Sequence, residues 1–314
     1  MVAVVVPVRN TSDWHQTVES VQSGNTTPVE VVVVDDGSDP PIQSTRDSPV
    51  HILRIAPSGP AAARNAGAAA TTSDVIIFVD ADVTVREYTV ARLVQVLETA
   101  PSDVAAIQAI YAEQTPDLGF ATQFQNALQR YNFLAVRDAE HFSGLSSFCI
   151  AIRRHAFEAV GGFDAAVHRA TVEDDTLGLE LIRAGWRVQL AKDVEVIHRA
   201  SYRSLSLCHR MYRMASDKVR SIRRKPWVAR TNISNSHHRP EFIGSTASVG
   251  LGMVALPFAP DVSIALVAAA ILCQLPFLIS VTRRRGIIFG MRSAGMILGL
   301  AAAAAVGCVA GLLG

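Results

Sequence analysis

The stretch "VIIFVDADVTV", Val75–Val85, runs five apolar residues straight into two aspartates separated by one residue. The apolar run has the length and Val/Ile content of a buried strand. In an extended chain residues i and i+2 point the same way, so Asp80 and Asp82 leave the strand end together. Two carboxylates that close raise each other's pKa and lose solvation if buried unpaired. The sequence therefore predicts a cationic group beside them.

On either side of this stretch lie similar runs, Val2–Val6, Val29–Val34, His51–Ile55 and Val104–Tyr111, separated by segments of helical length. Runs that are apolar on both faces indicate an α/β domain whose mostly parallel central sheet is covered by helices. Ligands of such sheets bind beyond the carboxyl ends of the strands. Polar residues collect at those ends: "RN" after the first run, "DDGSDPP" after the second and "DAD" after the fourth. No GxGxxG and no GxxxxGK[ST] is present, so neither a dinucleotide fold nor a P-loop is supported.

Composition divides the chain. Its 314 residues are 49% hydrophobic with a mean hydropathy of +0.25, high for a purely soluble protein. The excess is local, because from Phe242 onward the sequence is almost continuously apolar. Cys149, Cys208, Cys273 and Cys308 lie far apart without CxxC spacing, which suggests neither a zinc site nor a disulfide framework and fits a reducing, cytosolic setting. The opening "MVAVVVPVRN" lacks a basic start and reads as a first strand rather than a signal peptide.

Between the two parts, Arg199–Arg230 holds ten of the chain's 29 Lys/Arg and one of its 28 Asp/Glu, leaving 19 basic against 27 acidic residues elsewhere. A basic belt of this kind suits nucleic acid or a solvated helix face. Its position before an apolar tail favours an interfacial segment on anionic lipid headgroups, with no nucleic-acid partner. In the tail, Phe242–Phe258, Val262–Val281 and Ser293–Leu313 approach the ~20 residues that cross a bilayer. These give two to three expected transmembrane helices. Basic residues prefer the cytoplasmic side, so Arg199–Arg239 and Arg283–Arg285 are expected inside, with Asp261 and the C-terminus outside.

Each motif alone has a plain explanation: an Asp-Gly turn, a proline early in an alanine-rich helix, acids in a first helical turn. In this order, "VVVPVRN", "VVVVDDGSDPP", "GPAAARNAG", the DxD of "FVDADV", "FSGLSSFCIAIRRHAFEAVGGFD", the xED of "TVEDDTLGLELIRAGWRV" and His198 in "VEVIHRAS" resemble the family 2 glycosyltransferases of GT-A fold. The resemblance covers Met1–Arg199. It implies a GT-A catalytic domain over 1–199, followed by a basic segment at 200–241 and a membrane region at 242–314. Where relatives often read EDxDLGLRL, this chain has Thr176 and Glu180 in place of the second acid and the arginine.

The resemblance also implies roles. A divalent cation, Mg2+ or Mn2+, would be held by Asp82, with Asp80 on ribose or metal and His198 completing the protein's share. Hard cations of this type suit carboxylate and phosphate oxygens. Pro7, Arg9, Asp35, Asp36 and Arg64 would bind the nucleotide-sugar donor. Asp174 would be the base of an inverting transfer, oriented by Glu173, while Gly144, Gly161 and Gly162 would line the sugar and acceptor side. The expected partners are a UDP- or GDP-sugar, a bilayer and a lipid-linked or glycan acceptor bearing a hydroxyl, at a cell membrane with the catalytic domain on the cytoplasmic side. A transferase acting on polyprenyl phosphate and a non-catalytic nucleotide-sugar binder are the competing expectations.

Overall fold

A computed structural model describes residues 1–23, 29–43, 50–166, 172–227 and 239–313. The chain forms two compact units, Met1–Pro116 with Val136–Ala200, and Asp117–Ala135 with Ser201–Gly314.

The first unit is built on eight strands: β1 (Val2–Val8), β2 (Glu30–Asp36), β3 (His51–Ile55), β4 (Val75–Val79), β5 (Val83–Val85), β6 (Val104–Tyr111), β7 (Cys149–Arg153) and β8 (Arg187–His198). Their order in one sheet is β3-β2-β1-β4-β7-β6-β8-β5. The valine runs of β1, β2 and β4 are almost wholly buried, as strands covered on both faces should be. The helices of this unit are α1 (Trp14–Ser23), α2 (Pro60–Ala69), α3 (Thr89–Thr99), α5 (Arg154–Ala159) and α6 (Glu173–Arg183). Helix α2 lies tightly on the sheet because Gly67 has no side chain: a Cβ there would sit 2.3 Å from Val5 Cγ1 and 2.9 Å from Val34 Cγ2.

The expected strands are all present, but the sheet is mixed. The pairings β1–β2, β1–β4, β2–β3 and β6–β8 are parallel, whereas β7 runs antiparallel to β4 and β6, and β5 antiparallel to β8. A buried strand has the same composition in either direction, so the reversal at β7 left no mark in the sequence.

The second unit contains α4 (Phe120–Leu134), α7 (Ser204–Arg224), α8 (Pro240–Ala255), α9 (Pro260–Cys273), α10 (Leu275–Arg285) and α11 (Ile287–Leu313). Its core joins Phe124 and Leu128 of α4 to Leu207, Phe277, Ile297 and Leu300. Of the three expected spans, only the last becomes a helix long and apolar enough to cross a membrane, α11 with 27 residues. Val262–Val281 is broken between α9 and α10 by a 61° bend, so these helices reach span length only if taken together. Pro276 lies just past that break, where it withholds a backbone donor. The 16 residues of α8 are about 24 Å long, short of the ~30 Å hydrocarbon core. Residues 228–238 of the basic stretch lie outside the described residues.

Candidate active site

The carboxyl ends of β1, β2 and β4 bring the predicted motifs to one side of the sheet. Asp35 and Asp36 close β2, but neither carboxylate points freely to solvent. Asp35 accepts from the Ser38 amide at 2.7 Å, the Ile42 amide at 3.4 Å and Arg54 Nη1 at 2.6 Å. Burial pushes its pKa up, yet the hydrogen bonds from Ser38 and Ile42 and the Arg54 charge outweigh this and hold it below the usual carboxylate range. Asp36 accepts from the Ser58 amide at 2.6 Å and the Gly59 amide at 3.0 Å, with Arg9 Nη1 at 3.5 Å. These bonds tie the turn after β2 to the entry of α2. Pro7 sits in β1 opposite Val34, two residues before Arg9.

The cation expected beside the DxD is a divalent metal ion; a cationic side chain, Arg64, also stands there. Its buried guanidinium donates to Asp80 Oδ1 at 2.7 Å and to Glu173 Oε1 at 3.1 Å. It stands across the Phe163 ring, 5.3 Å from its centroid. Burial alone would lower its pKa; the Asp80 and Glu173 charges reverse that and raise it. One side chain thus ties the DxD to the xED, whose Glu173 lies 109 residues beyond Arg64.

Asp82 is placed differently. The three residues of β5 that follow it pair with the end of β8, Val83 opposite His198, Thr84 opposite Ile197 and Val85 opposite Val196. This ladder brings His198 Nε2 to 3.6 Å from Asp82 Oδ1. Burial pushes the Asp82 carboxyl up; His198 opposes this and the Asp80 charge adds to it. Among the described residues no three His, Cys, Asp or Glu groups cluster as a full metal shell.

Asp174 begins α6 beside the loop before β7. Its Oδ2 accepts from the Ser147 amide at 3.3 Å and its Oδ1 from the Asp175 amide at 2.8 Å. Burial, then the neighbouring Glu173 charge, push its pKa up to about 7 against the pull of Arg64. Gly178 lets α6 close on that loop, because a Cβ there would meet Leu145 Cβ at 2.6 Å and the Gly144 carbonyl carbon at 3.2 Å. Thr176, in the position of the usual second acid, turns back to donate to the Val172 carbonyl at 2.7 Å. Gly161 and Gly162 both have positive φ, +79° and +71°. This conformation suits glycine, and a Cβ on Gly162 would lie 2.8 Å from Asn65 Oδ1.

Several supporting residues were not singled out in the sequence. Asn65, next to Arg64, moors the glycine turn by donating to the Phe163 carbonyl at 2.8 Å and accepting from its amide at 3.0 Å. Gln108 is fully buried in β6 and accepts the Ser146 amide at 2.7 Å. A lone glutamine inside "VAAIQAIY" was the available signal. Arg199, counted with the basic belt and also the last residue of the expected 1–199 domain, lies in the first unit. Its guanidinium bonds the Asp13 carbonyl at 2.7 Å and the Ala81 carbonyl at 3.0 Å, and reaches Thr84 Oγ1, while its amide donates to the Asp82 carbonyl at 2.7 Å.

A mixed α/β sheet with DxD and xED acids on one side is the arrangement of GT-A-like glycosyltransferases. Over 98% of this chain and 86% of the other, the fold is similar to that of the mannosyltransferase PcManGT from Pyrobaculum calidifontis, solved in complex with GDP-Man and Mn2+, with a TM-score of 0.60 and 18% identity. It is also similar to residues 1–349 of S. aureus TarS, with a TM-score of 0.50 and 14% identity over 94% of this chain and 90% of that one. Residues 3–161 match glycosyl transferase family 2, and the chain belongs to that family. The pre-mycofactocin glycosyltransferases of two Mycobacterium tuberculosis strains are each 34% identical to it over 213 residues, covering 63% of this chain. The chain covers 42% of the length of these curated relatives.

Proposed function

We propose that this glycosyltransferase moves a sugar from a UDP- or GDP-sugar to an acceptor hydroxyl with inversion, at the cytoplasmic side of a membrane, in making a lipid-linked or cell-envelope glycan. The observation that carries the reading is the Arg64 bridge, which joins the donor-side Asp80 to the base-side Glu173.

In this reading Asp35, Asp36, Pro7 and Arg9 border the nucleotide, and Asp80 with Arg64 adjoins the ribose and diphosphate. Asp82 and His198 fit a hard divalent cation: a carboxylate and an imidazole face each other, and Asp82 carries a charge that burial disfavours. Two protein ligands suffice where substrate phosphates supply others. When bound, such a cation supplies positive charge against the diphosphate.

The chemistry on the acceptor side falls to Asp174. An acceptor hydroxyl attacks the anomeric carbon from the face opposite the diphosphate, its proton passes to the Asp174 carboxylate, and the diphosphate leaves with the electron pair of the broken bond. Glu173, paired with Arg64, holds the start of α6 in place, and the turns containing Gly144, Gly161 and Gly162 are assigned to the sugar and acceptor side. Membrane attachment is assigned to the second unit, on the strength of its apolar helices and basic α7.

The test is a donor screen with the membrane-embedded chain, following nucleotide release with UDP- and GDP-sugars, with and without Mn2+ and acceptor lipid extracts. Metal-dependent release stimulated by acceptor is expected; no release under any condition would leave a binding protein. The same assay carries a pH expectation. A carboxyl pushed up to about 7 is protonated, and idle as a base, below that pH. For the productive donor, kcat/KM should therefore fall about tenfold per pH unit below 7 and level off above it. An acid limb near pH 4 would remove Asp174 as the base in that environment.

A further inference from the structure

The second unit contains a helix apolar enough to cross a membrane, yet its packing puts charge beside that helix. Helix α7 runs beside α11 in the same direction. The contacts advance together: Cys208 Sγ lies 3.4 Å from a Cβ built on Gly299, the Tyr212 carbonyl oxygen 2.3 Å from one on Gly307, and the Ser216 carbonyl oxygen 2.6 Å from one on Gly311. Only glycine admits the α7 backbone this closely. Arg223 Nη1 then bonds the Leu312 carbonyl at 2.9 Å and the Gly311 carbonyl at 3.3 Å, closing the end of α11.

Between Cys208 and Arg224, α7 carries Arg210, Arg213, Lys218, Arg220, Arg223 and Arg224. Arg210 and Arg213 lie level with the Gly299–Gly311 stretch, and the other four follow at the end of α11, where Arg223 closes it. The other part of α11 contains Arg292, stacked over the Phe120 ring at 4.1 Å. Seating residues 293–313 across the hydrocarbon would carry Arg210 and Arg213 of α7 in as well, and charged side chains at that depth are costly.

The neighbouring hairpin has the opposite character. Helices α8 and α9 keep their polar atoms between them: Ser245 Oγ donates to the Ala270 carbonyl at 2.8 Å, Ser263 Oγ to the Gly252 carbonyl at 2.9 Å, and Gln274 Nε2 to Ser245 Oγ at 3.3 Å. Outward they expose Leu251, Val254, Phe258 and Ile264, and α11 adds Ile288 and Met291. Apolar surface beside a cationic helix matches one leaflet of an anionic bilayer, acyl chains for the first and headgroups for the second.

We propose that the second unit is a monotopic anchor: α7, α8, α9 and α11 embed together in a single leaflet of an anionic membrane, with α11 along the surface and no segment crossing. This rests on the membrane attachment proposed above and replaces the spans expected from hydropathy. The apolar length of α11 then serves to broaden the embedded surface, and the basic side chains of α7 remain at headgroup level. Because nothing crosses, both ends of α11 stay on the face occupied by the catalytic unit.

The test uses the full chain in cell membranes, sorted into sealed right-side-out and inverted vesicles. Reporters are an epitope before Met1, Asp261→Cys at the α8–α9 turn, Arg283→Cys before α11 and an epitope behind the last residue, with protease and a membrane-impermeant maleimide as probes and the parent chain as the background for native cysteines. The expected result is that no reporter is reached from the face opposite the Met1 epitope. Cleavage or labelling of any reporter from that opposite face overturns the monotopic arrangement while leaving membrane attachment intact. Recovery of the chain in the soluble fraction overturns both.

Discussion

Asp174→Asn is expected to fold, to bind donor with unchanged affinity, and to lose transfer by about 10²-fold or more, within the range general bases contribute. Asparagine keeps one acceptor oxygen for the 2.8 Å bond from the Asp175 amide, gives up the longer 3.3 Å bond from the Ser147 amide, and keeps the preference for the start of a helix, so α6 should hold its place. Basicity is lost. A hydroxyl is a weak nucleophile that must lose its proton as it attacks, whereas a phosphate acceptor is already an anion. Comparing the transfer rate with the donor dissociation constant separates chemistry from binding. Near wild-type transfer by the variant, or direct glycosylation of polyprenyl phosphate by the parent chain, would sink the hydroxyl-acceptor reading.

Asp82→Ala is expected to abolish both turnover and the metal-dependent part of donor affinity. The loop itself should survive, because it is held by groups the substitution does not touch: the Asp82 carbonyl accepts from the Arg199 amide and the Ala81 carbonyl from the Arg199 guanidinium. The loss should therefore appear in titration calorimetry with nucleotide and Mn2+, and not in thermal unfolding of the chain without nucleotide. Undiminished metal-dependent affinity would move the cation elsewhere. Because burial disfavours the Asp82 charge, removing it should leave folding stability unchanged or slightly raised.

The strand runs and their polar ends were legible because both are local. Five apolar residues followed by "DAD" report a buried strand and its mouth without reference to any other part of the chain. The need for positive charge there was legible, but the presence of Arg64 depended on a helix folding back over β1 and β2. The antiparallel β7 and the roles of Asn65, Gln108 and Arg199 depended on partners 38 to 186 residues away. In the tail, hydropathy counted apolar residues correctly and missed what lay beside them. The 61° bend after Cys273 and the docking of α7 on Gly307 and Gly311 are packing facts, and a window along the sequence does not contain them.

The short ladder between β5 and β8 also bears on which changes in chain length this enzyme can absorb. Asp82 and His198 are spaced by counting residues along two paired strands, Val83–Val85 and Val196–His198, and the long connection between those strands plays no part in the count. A single residue added within Val196–His198 turns His198 to the opposite face of the sheet, and one added within Val83–Val85 shifts the register that brings Asp82 to it. Additions in the exposed segments farther from the ladder leave the register untouched. Length variation in engineered or natural relatives should accordingly avoid these two tripeptides, and a one-residue insertion there should be as damaging to metal-dependent activity as deleting the histidine itself.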